Sequence, residues 1–212
     1  SMHEIGRGVA QDYKEAIKWY KLAAEQGNTD AQYNLGVMHE DGQGVAQDYK
    51  EAMKWYKLAA DQKDAEAQYS LGVMYGKGLG IDPNYKEAMN WYRLAAEQKH
   101  AKAQHNLGVM HETGKGVAQN YKEAIKWYKL AAEQGYAKSQ YNLGGMYRAG
   151  NGVAQNHPEA ARWFRLAAEQ GHALAQYTLG LRYVDGQGVE RNPSDAVKWF
   201  KLAAEQGHAP AQ

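Results

Sequence analysis

The chain of 212 residues carries 25 Lys and Arg against 24 Asp and Glu, a formal charge of +1 without the basic excess of a dedicated DNA-binding protein. Hydrophobic residues make up 44%, with 16 Tyr, 6 Trp and 7 Met, enough bulk for a core and too much for wholesale disorder. The absence of Cys excludes disulfide frameworks, thiolate zinc sites and cysteine nucleophiles, and no apolar run approaches the ~18 residues of a membrane-spanning helix.

The sequence repeats itself. Trp stands at 19, 55, 91, 127, 163 and 199, a constant step of 36, and Leu-Gly recurs with the same step from Leu35-Gly36 to Leu179-Gly180. Paired glycines such as Gly42/Gly44 and Gly78/Gly80 mark six places in register with these. A period of this size predicts stacked supersecondary units, each with an apolar face that only a neighbour can cover.

In chain order, the pattern predicts a first helix between Asp12 and Gln26, then a shorter helix at about Asp30–Asp41 after a connection brief enough to make the two antiparallel neighbours. The loop Gly42-Gln43-Gly44-Val45 turns the chain, with Val45 folding back onto the core, and a longer helix follows at Asp48–Gln62. The remaining copies repeat this order. Tyr49, Ala52, Met53, Tyr56, Ala59 and Ala60 fall at three- and four-residue steps, the mark of one buried face. The long helices open on Asp12, Asp48, Asn84, Asn120, Asn156 or Asn192, each followed three residues later by Glu or Asp, as in a capping box. They stop at Gly27, Gly135, Gly171 or Gly207, with Lys63 and Lys99 taking that left-handed place twice.

The short helix buries Ala31, Leu35 and Met38, with His39 alongside. Gly36 lies inside it, where glycine costs about 1 kcal/mol relative to alanine. Its return in five copies predicts a neighbour crossing too closely to admit a Cβ. The Trp column is assigned to the core rather than to an aromatic platform for bases or sugars.

No motif of catalysis emerges. The His residues lack the i, i+4 spacing that sets two imidazoles on one helix face, and His39-Glu40 and His111-Glu112 lack the second His of a zinc protease helix, so no metal and no cofactor is expected. The glycine loop follows a helix rather than a strand and reads as a turn, not a phosphate cradle. Neither Ser-x-x-Lys nor Gly-x-Ser-x-Gly occurs. Lys50, Lys54 and Lys57 line one helix face, echoed at 14/18/21 and 122/126/129, which makes a nucleic-acid-binding solenoid the second functional class. Interleaved acids and the near-zero net charge favour a solvated outer face instead.

Residues 31–62, AQYNLGVMHEDGQGVAQDYKEAMKWYKLAADQ, resemble the Sel-1-like repeat (SLR), a relative of the tetratricopeptide repeat. The Leu-Gly pair, the Gly-x-Gly-Val loop, the Glu-Ala ahead of Trp-Tyr or Trp-Phe, and the Ala-Ala carry the likeness. Gln32 stands where the tetratricopeptide pattern has Trp, and the period is 36 rather than 34. The resemblance implies an all-α, right-handed superhelical solenoid of helix-turn-helix repeats without catalysis. It further implies a scaffold or adaptor that binds a partner protein or peptide, in bacterial members often periplasmic or secreted. A structural spacer within a larger exported protein is the remaining alternative.

By likeness to tetratricopeptide grooves, the partner-binding concave face is expected at Tyr33, Asn34, Val37 and Glu40, then Tyr69, Ser70 and Val73, then His105, Asn106, Val109 and Glu112. It continues with Tyr141, Asn142, Gly145 and Arg148, and ends at Tyr177 and Thr178. Asn34, Asn106 and Asn142 match the position where relatives clamp a peptide, whereas Ser70 and Thr178 depart from it. The varied column Glu40, Gly76, Glu112, Arg148, Val184 is expected to tune that surface repeat by repeat. Residues 1–212 read as a single segment of about five and a half repeats, cut from a longer array. The first long helix is expected to be covered by the chain ends or by another molecule, through end-to-end or side self-association.

Overall fold

The computed structural model describes residues 12–207. The short-helix segment expected at Met2-His3-Glu4, a copy of Met38-His39-Glu40, and the further copy expected to open at His208–Gln212 lie outside them. Among the described residues there are eleven α-helices and no strand: α1 (Tyr13–Glu25), α2 (Thr29–Asp41), α3 (Tyr49–Asp61), α4 (Ala65–Lys77), α5 (Tyr85–Glu97), α6 (Ala101–Thr113), α7 (Tyr121–Glu133), α8 (Ala137–Ala149), α9 (His157–Glu169), α10 (Ala173–Asp185) and α11 (Pro193–Glu205). The two series, predicted as longer and shorter, are equal at 13 residues each. Asp48 and Gln62 turn out to be the caps of α3 rather than its ends. The chain divides into two compact units, residues 1–103 and 104–212. Within each, successive helices pack against one another as stacked hairpins.

The capping prediction holds in one half. Asp12 and Asp48 accept the N–H groups of Glu15 and Glu51 at 3.1 and 3.0 Å, and Asn84, Asn120, Asn156 and Asn192 serve their helices likewise. The acids do not reach back, because the cap N–H is already taken: Asp48 donates to the His39 carbonyl at 2.8 Å, and Asn84 to Tyr75 at 2.8 Å. The acids turn forward instead, Glu51 meeting Lys54 at 2.6 Å and Glu159 meeting Arg162 at 2.9 Å. Lys63 and Lys99 adopt φ of 68° and 64°, the left-handed conformation that glycine holds in the other copies.

The Leu-Gly column meets its predicted neighbour. A Cβ on Gly36 would sit 2.4 Å from a ring carbon of Tyr56, and one on Gly108 2.5 Å from Tyr128. Phe164 lies over Gly144 and Phe200 over Gly180 in the same way. These aromatics, not the tryptophans, are the centre of the core: Tyr56, Tyr128 and Phe164 are fully buried. Truncating a side chain of this kind costs roughly 3–5 kcal/mol. The Trp column sits mostly half-buried against the preceding hairpin, Trp55 on Ala24, Ala31 and Leu35, and Trp91 on the Tyr56–Met74 cluster. Trp163 alone among the described tryptophans is buried, at 5% exposure. On α1, Trp19 and Leu22 are exposed. Val45 is half-buried as predicted, but its counterpart Ile81 is exposed.

A polar staple joins the hairpins. Gln32, buried at the place of the tetratricopeptide Trp, donates through Nε2 to the Ala24 carbonyl at 3.1 Å and accepts from Gln62 Nε2 at 2.7 Å. One buried amide thus ties the ends of α1 and α3 together, adding a second donor to a helix-terminal carbonyl that also accepts the Gly27 N–H at 2.9 Å. Gln140 repeats this in the second unit, donating to Ala132 at 3.1 Å and accepting from Gln170 at 2.6 Å. Gln176 does so once more with Ala168 and Gln206.

Candidate functional site

The predicted partner-binding residues all lie on the even-numbered helices. Tyr33, Asn34, Val37 and Glu40 are half-buried on α2, as are Tyr69, Ser70 and Val73 on α4 and His105, Asn106, Val109 and Glu112 on α6. On α8, Tyr141 and Asn142 are half-buried and Arg148 is exposed. On α10, Tyr177 is half-buried and Thr178 is buried at 8% exposure.

Each aromatic in this set has one face committed to packing. The Tyr33 ring lies 5.6 Å from that of Tyr56, Tyr141 5.6 Å from Phe164, and Tyr177 5.5 Å from Phe200. Tyr69 also stacks on His100 at 4.7 Å, and Tyr141 on His172 at 5.0 Å. Burial is the main reason the Tyr33 phenol is harder to ionise than usual, with the Glu66 carboxylate adding to it. In the same column, His105 meets Tyr128 and Tyr136 and shares a hydrogen bond of 2.9 Å with the buried Ser139 hydroxyl. Burial pushes His105 down to about 4, and the positive charge of Lys138 works in the same direction.

The histidines and their repeat-mates have a local task that sequence reasoning missed. Asn28, Asp64, His100 and His172 are N-caps, with Ala31 N–H donating to Asn28 at 2.8 Å and Ala103 and Ala175 N–H donating to the Nδ1 atoms of His100 and His172 at 3.2 Å. Their shared position was visible in the sequence, and Asn and Asp are preferred caps, whereas Tyr136 holds the same place ahead of α8 without a side-chain cap hydrogen bond. The glutamine that closes three of the described glycine loops, where Pro83 and Arg191 stand in two others, is structural as well. Gln47, Gln119 and Gln155 donate to the carbonyls of Glu40, Glu112 and Arg148 at 2.7–2.8 Å, capping the preceding helix.

Two members of the variable column are engaged within the chain. The Tyr56 hydroxyl donates to the Glu40 carboxylate at 2.6 Å and the Tyr128 hydroxyl to Glu112 at 2.5 Å, and burial with that carboxylate raises both phenols. The Asn34 and Asn106 amides, in contrast, make no side-chain hydrogen bond among the described residues. In the second unit, Glu112, Tyr141, Asn142 and Arg148 come together around a cleft of about 250 Å³.

The lysine lines on the odd-numbered helices are interrupted by acids. Lys18, Lys54 and Lys126 pair with Glu15, Glu51 and Glu123 one turn earlier at 2.9, 2.6 and 2.5 Å. Such exposed pairs add little stability, but they partly neutralise the stripe a phosphate backbone would follow. No described helix is long and apolar enough to cross a membrane, and no cluster of three or more His, Asp or Glu suited to a metal occurs among the described residues.

Stacked helix pairs of about 36 residues, bound through buried aromatics and glutamines, define an α/α repeat scaffold of the solenoid class. The Sel1 repeat profile matches residues 1–28, 29–64, 65–100, 101–136, 137–172 and 173–208, and the chain belongs to the Sel1 repeat family. This family is a non-catalytic repeat scaffold whose members generally mediate protein–protein interaction. Among solved structures, c5321, a protective antigen of uropathogenic Escherichia coli displaying an SLR fold, is 40% identical with a TM-score of 0.97, over 99% of this chain and 45% of that one. The chain therefore spans less than half the length of that antigen. A Sel1 repeat protein from Oxalobacter formigenes is 38% identical with a TM-score of 0.87, covering 94% of this chain and 79% of its own. Immunity protein Pa5087 of Pseudomonas aeruginosa, at 21% identity, TM-score 0.59 and coverage of 97% and 78%, shares the fold alone. No curated protein matches the chain.

Proposed function

We propose that this chain is a non-catalytic scaffold that receives a partner protein or peptide on the concave face of its even-numbered helices. Tyr33, Tyr69, His105, Tyr141 and Tyr177 would line that face, with the amides of Asn34, Asn106 and Asn142 between them. The observation that carries the reading is the pair of half-buried amides, Asn34 and Asn106, left without a side-chain hydrogen bond among the described residues. An amide offers both a donor and an acceptor, which matches an extended backbone, and the neighbouring ring supplies apolar contact at little entropic cost. Tyr33 and Val37 both pack against the buried cluster of Tyr56, Leu71 and Met74, which anchors this surface to the core.

A photocrosslinking amino acid tests the assignment. Placed at Tyr33 or Tyr141 it should trap the captured partner, and placed at Lys54 it should not. Replacing Asn34, Asn106 and Asn142 together with Ala should abolish capture while leaving the circular dichroism spectrum unchanged. Crosslinks from Lys54 alone, or full capture by the triple variant, would refute the concave-face reading.

A further inference from the structure

The repeat breaks its own pattern at one place on this face, and the break opens a cavity. Position 145 is Gly, where Val37, Val73, Val109 and Leu181 stand in the other copies. A Cβ built on Gly145 meets nothing within 4 Å, so the missing side chain is itself the opening. The cleft of about 250 Å³ is lined by Glu112, Tyr141, Asn142, Gly145, Arg148 and Phe164. That is below the ~300–1,000 Å³ of small-molecule pockets and suits a single side chain.

Its charge departs from the pattern as well. Glu112 directs its carboxylate to the Tyr128 hydroxyl, whereas one repeat later Phe164 has no hydroxyl and Arg148 replaces the acid. Arg148 is exposed and pairs with no carboxylate among the described residues. A second guanidinium lies close enough to feel it: Arg182 is buried to 8% exposure, its Nη1 donates to the Gln187 side-chain oxygen while its Nε has no hydrogen-bond partner, and its basicity is lowered by desolvation and then by Arg148. Asp185 offsets the Arg182 charge and the Tyr128 hydroxyl holds the Glu112 carboxylate, which leaves Arg148 as the exposed, unpaired charge of the cleft, beside an apolar floor of Phe164 and Met146.

We propose that this cleft is the anchor subsite for an acidic side chain, glutamate by preference, of an extended partner peptide. The carboxylate would pair with Arg148, whose planar fork matches it, while Asn142 holds the adjoining backbone. The methylene groups of the glutamate fill the space above Gly145. This rests on the reading of the even-numbered helices as the partner face.

The experiment is selection of random dodecapeptides displayed on phage, whose fusion leaves no free C terminus, against the 212-residue chain, with affinities of the selected sequences measured as amidated synthetic peptides. The expected result is a fixed Glu or Asp in the selected sequences, with Kd rising tenfold or more on Glu→Gln in the peptide, on Arg148→Glu and on Gly145→Val. Lys57→Glu, on an odd-numbered helix, should change nothing, and a Glu→Lys peptide should regain affinity for Arg148→Glu. Gly145→Val restores the residue of three other copies in open space, so it keeps the fold. Selected peptides without a fixed acid, unchanged affinity in both cleft variants, or binding that requires a free C-terminal carboxylate would each overturn the subsite. If binding then still depends on Asn34 and Asn106, the partner face stands and the subsite alone falls. If binding depends on neither, both readings fall.

Discussion

Gly144 and Gly145 are neighbours inside one helix, yet the structure assigns opposite consequences to the same substitution. Replacing an interior helical glycine with alanine is intrinsically favourable by about 1 kcal/mol, because the unfolded chain loses freedom. Gly145→Ala should keep that gain, since its Cβ would meet nothing within 4 Å, and stability should rise by about 0.5–1 kcal/mol. Gly144→Ala has the same gain, but its Cβ would lie 2.8 Å from two ring carbons of Phe164 and 3.1 Å from the Ala160 carbonyl. Ordinary carbon contacts are about 3.5–4.0 Å. Phe164 is 1% exposed, so the ring has nowhere to turn, and the carbonyl belongs to the α9 backbone. Overpacking of this kind costs roughly 1–3 kcal/mol, with about 3–5 at stake if the ring leaves its site. The net expectation is a loss of about 1–3 kcal/mol for Gly144→Ala, set against a gain for its neighbour. Urea unfolding followed by far-UV circular dichroism measures both, provided the slope with denaturant is unchanged. A second Phe164→Leu change should remove most of the penalty of Gly144→Ala. If Gly144→Ala matches or exceeds the stability of Gly145→Ala, the close-approach explanation of the Leu-Gly column is wrong.

Three further outcomes are expected. Gln140→Leu removes both staple hydrogen bonds, although the Ala132 carbonyl keeps the Gly135 N–H and the Gln170 amide keeps the Leu166 carbonyl, and should lower stability by about 1–2 kcal/mol in the same urea assay, whereas an unaffected midpoint would mean the staple is incidental. Arg182→Met puts back the residue found at Met38, Met74, Met110 and Met146, removes the unpartnered buried Nε at the loss of the hydrogen bond to Gln187, and should raise the unfolding midpoint by an amount equivalent to about 0.5–2 kcal/mol. His105 gives the fold an acid sensitivity of defined sign. Its native pKa of about 4 lies below the unfolded value near 6.5, so the stability it contributes is complete above pH ~6.5 and is lost as pH falls toward 4, by ~3 kcal/mol in total. His105→Tyr, the residue of the other four copies, should flatten unfolding midpoints measured across that window, and an unchanged pH slope would count against it.

What the sequence disclosed was whatever physics imposes on every copy alike. Gly36 and its counterparts return because a ring always lies over them, so steric exclusion could be read without knowing which ring it was. The ring itself was assigned one position away. Trp55 is larger and rarer than Tyr56, and at a half-apolar helix face size and rarity suggest a core residue. Yet only Tyr56 lies at the angle that faces the α2 glycine. The forward turn of Glu51 was invisible for a different reason: whether a capping box closes depends on the cap N–H being free, and that N–H is taken by a carbonyl nine residues earlier, at His39.

The glutamine staple had a signal that composition obscures. Gln32, Gln68, Gln104, Gln140 and Gln176 never vary, while the exposed position two residues earlier runs Asp30, Glu66, Lys102, Lys138, Leu174. A polar residue kept identical beside one that drifts is being held by a partner, and within a repeat protein the copies serve as each other's control. The same comparison separates two kinds of departure. Arg182 breaks a buried column, so its guanidinium sacrifices contacts that methionine makes elsewhere and adds a donor with no acceptor. Gly145 and Arg148 break half-buried columns at the edge of the core, where opening space and reversing charge would, on the proposed reading, change what can dock there. On the proposed reading, scaffold and specificity would be carried by different registers of one 36-residue period, and the cleft in the second unit is where the copies differ in both space and charge.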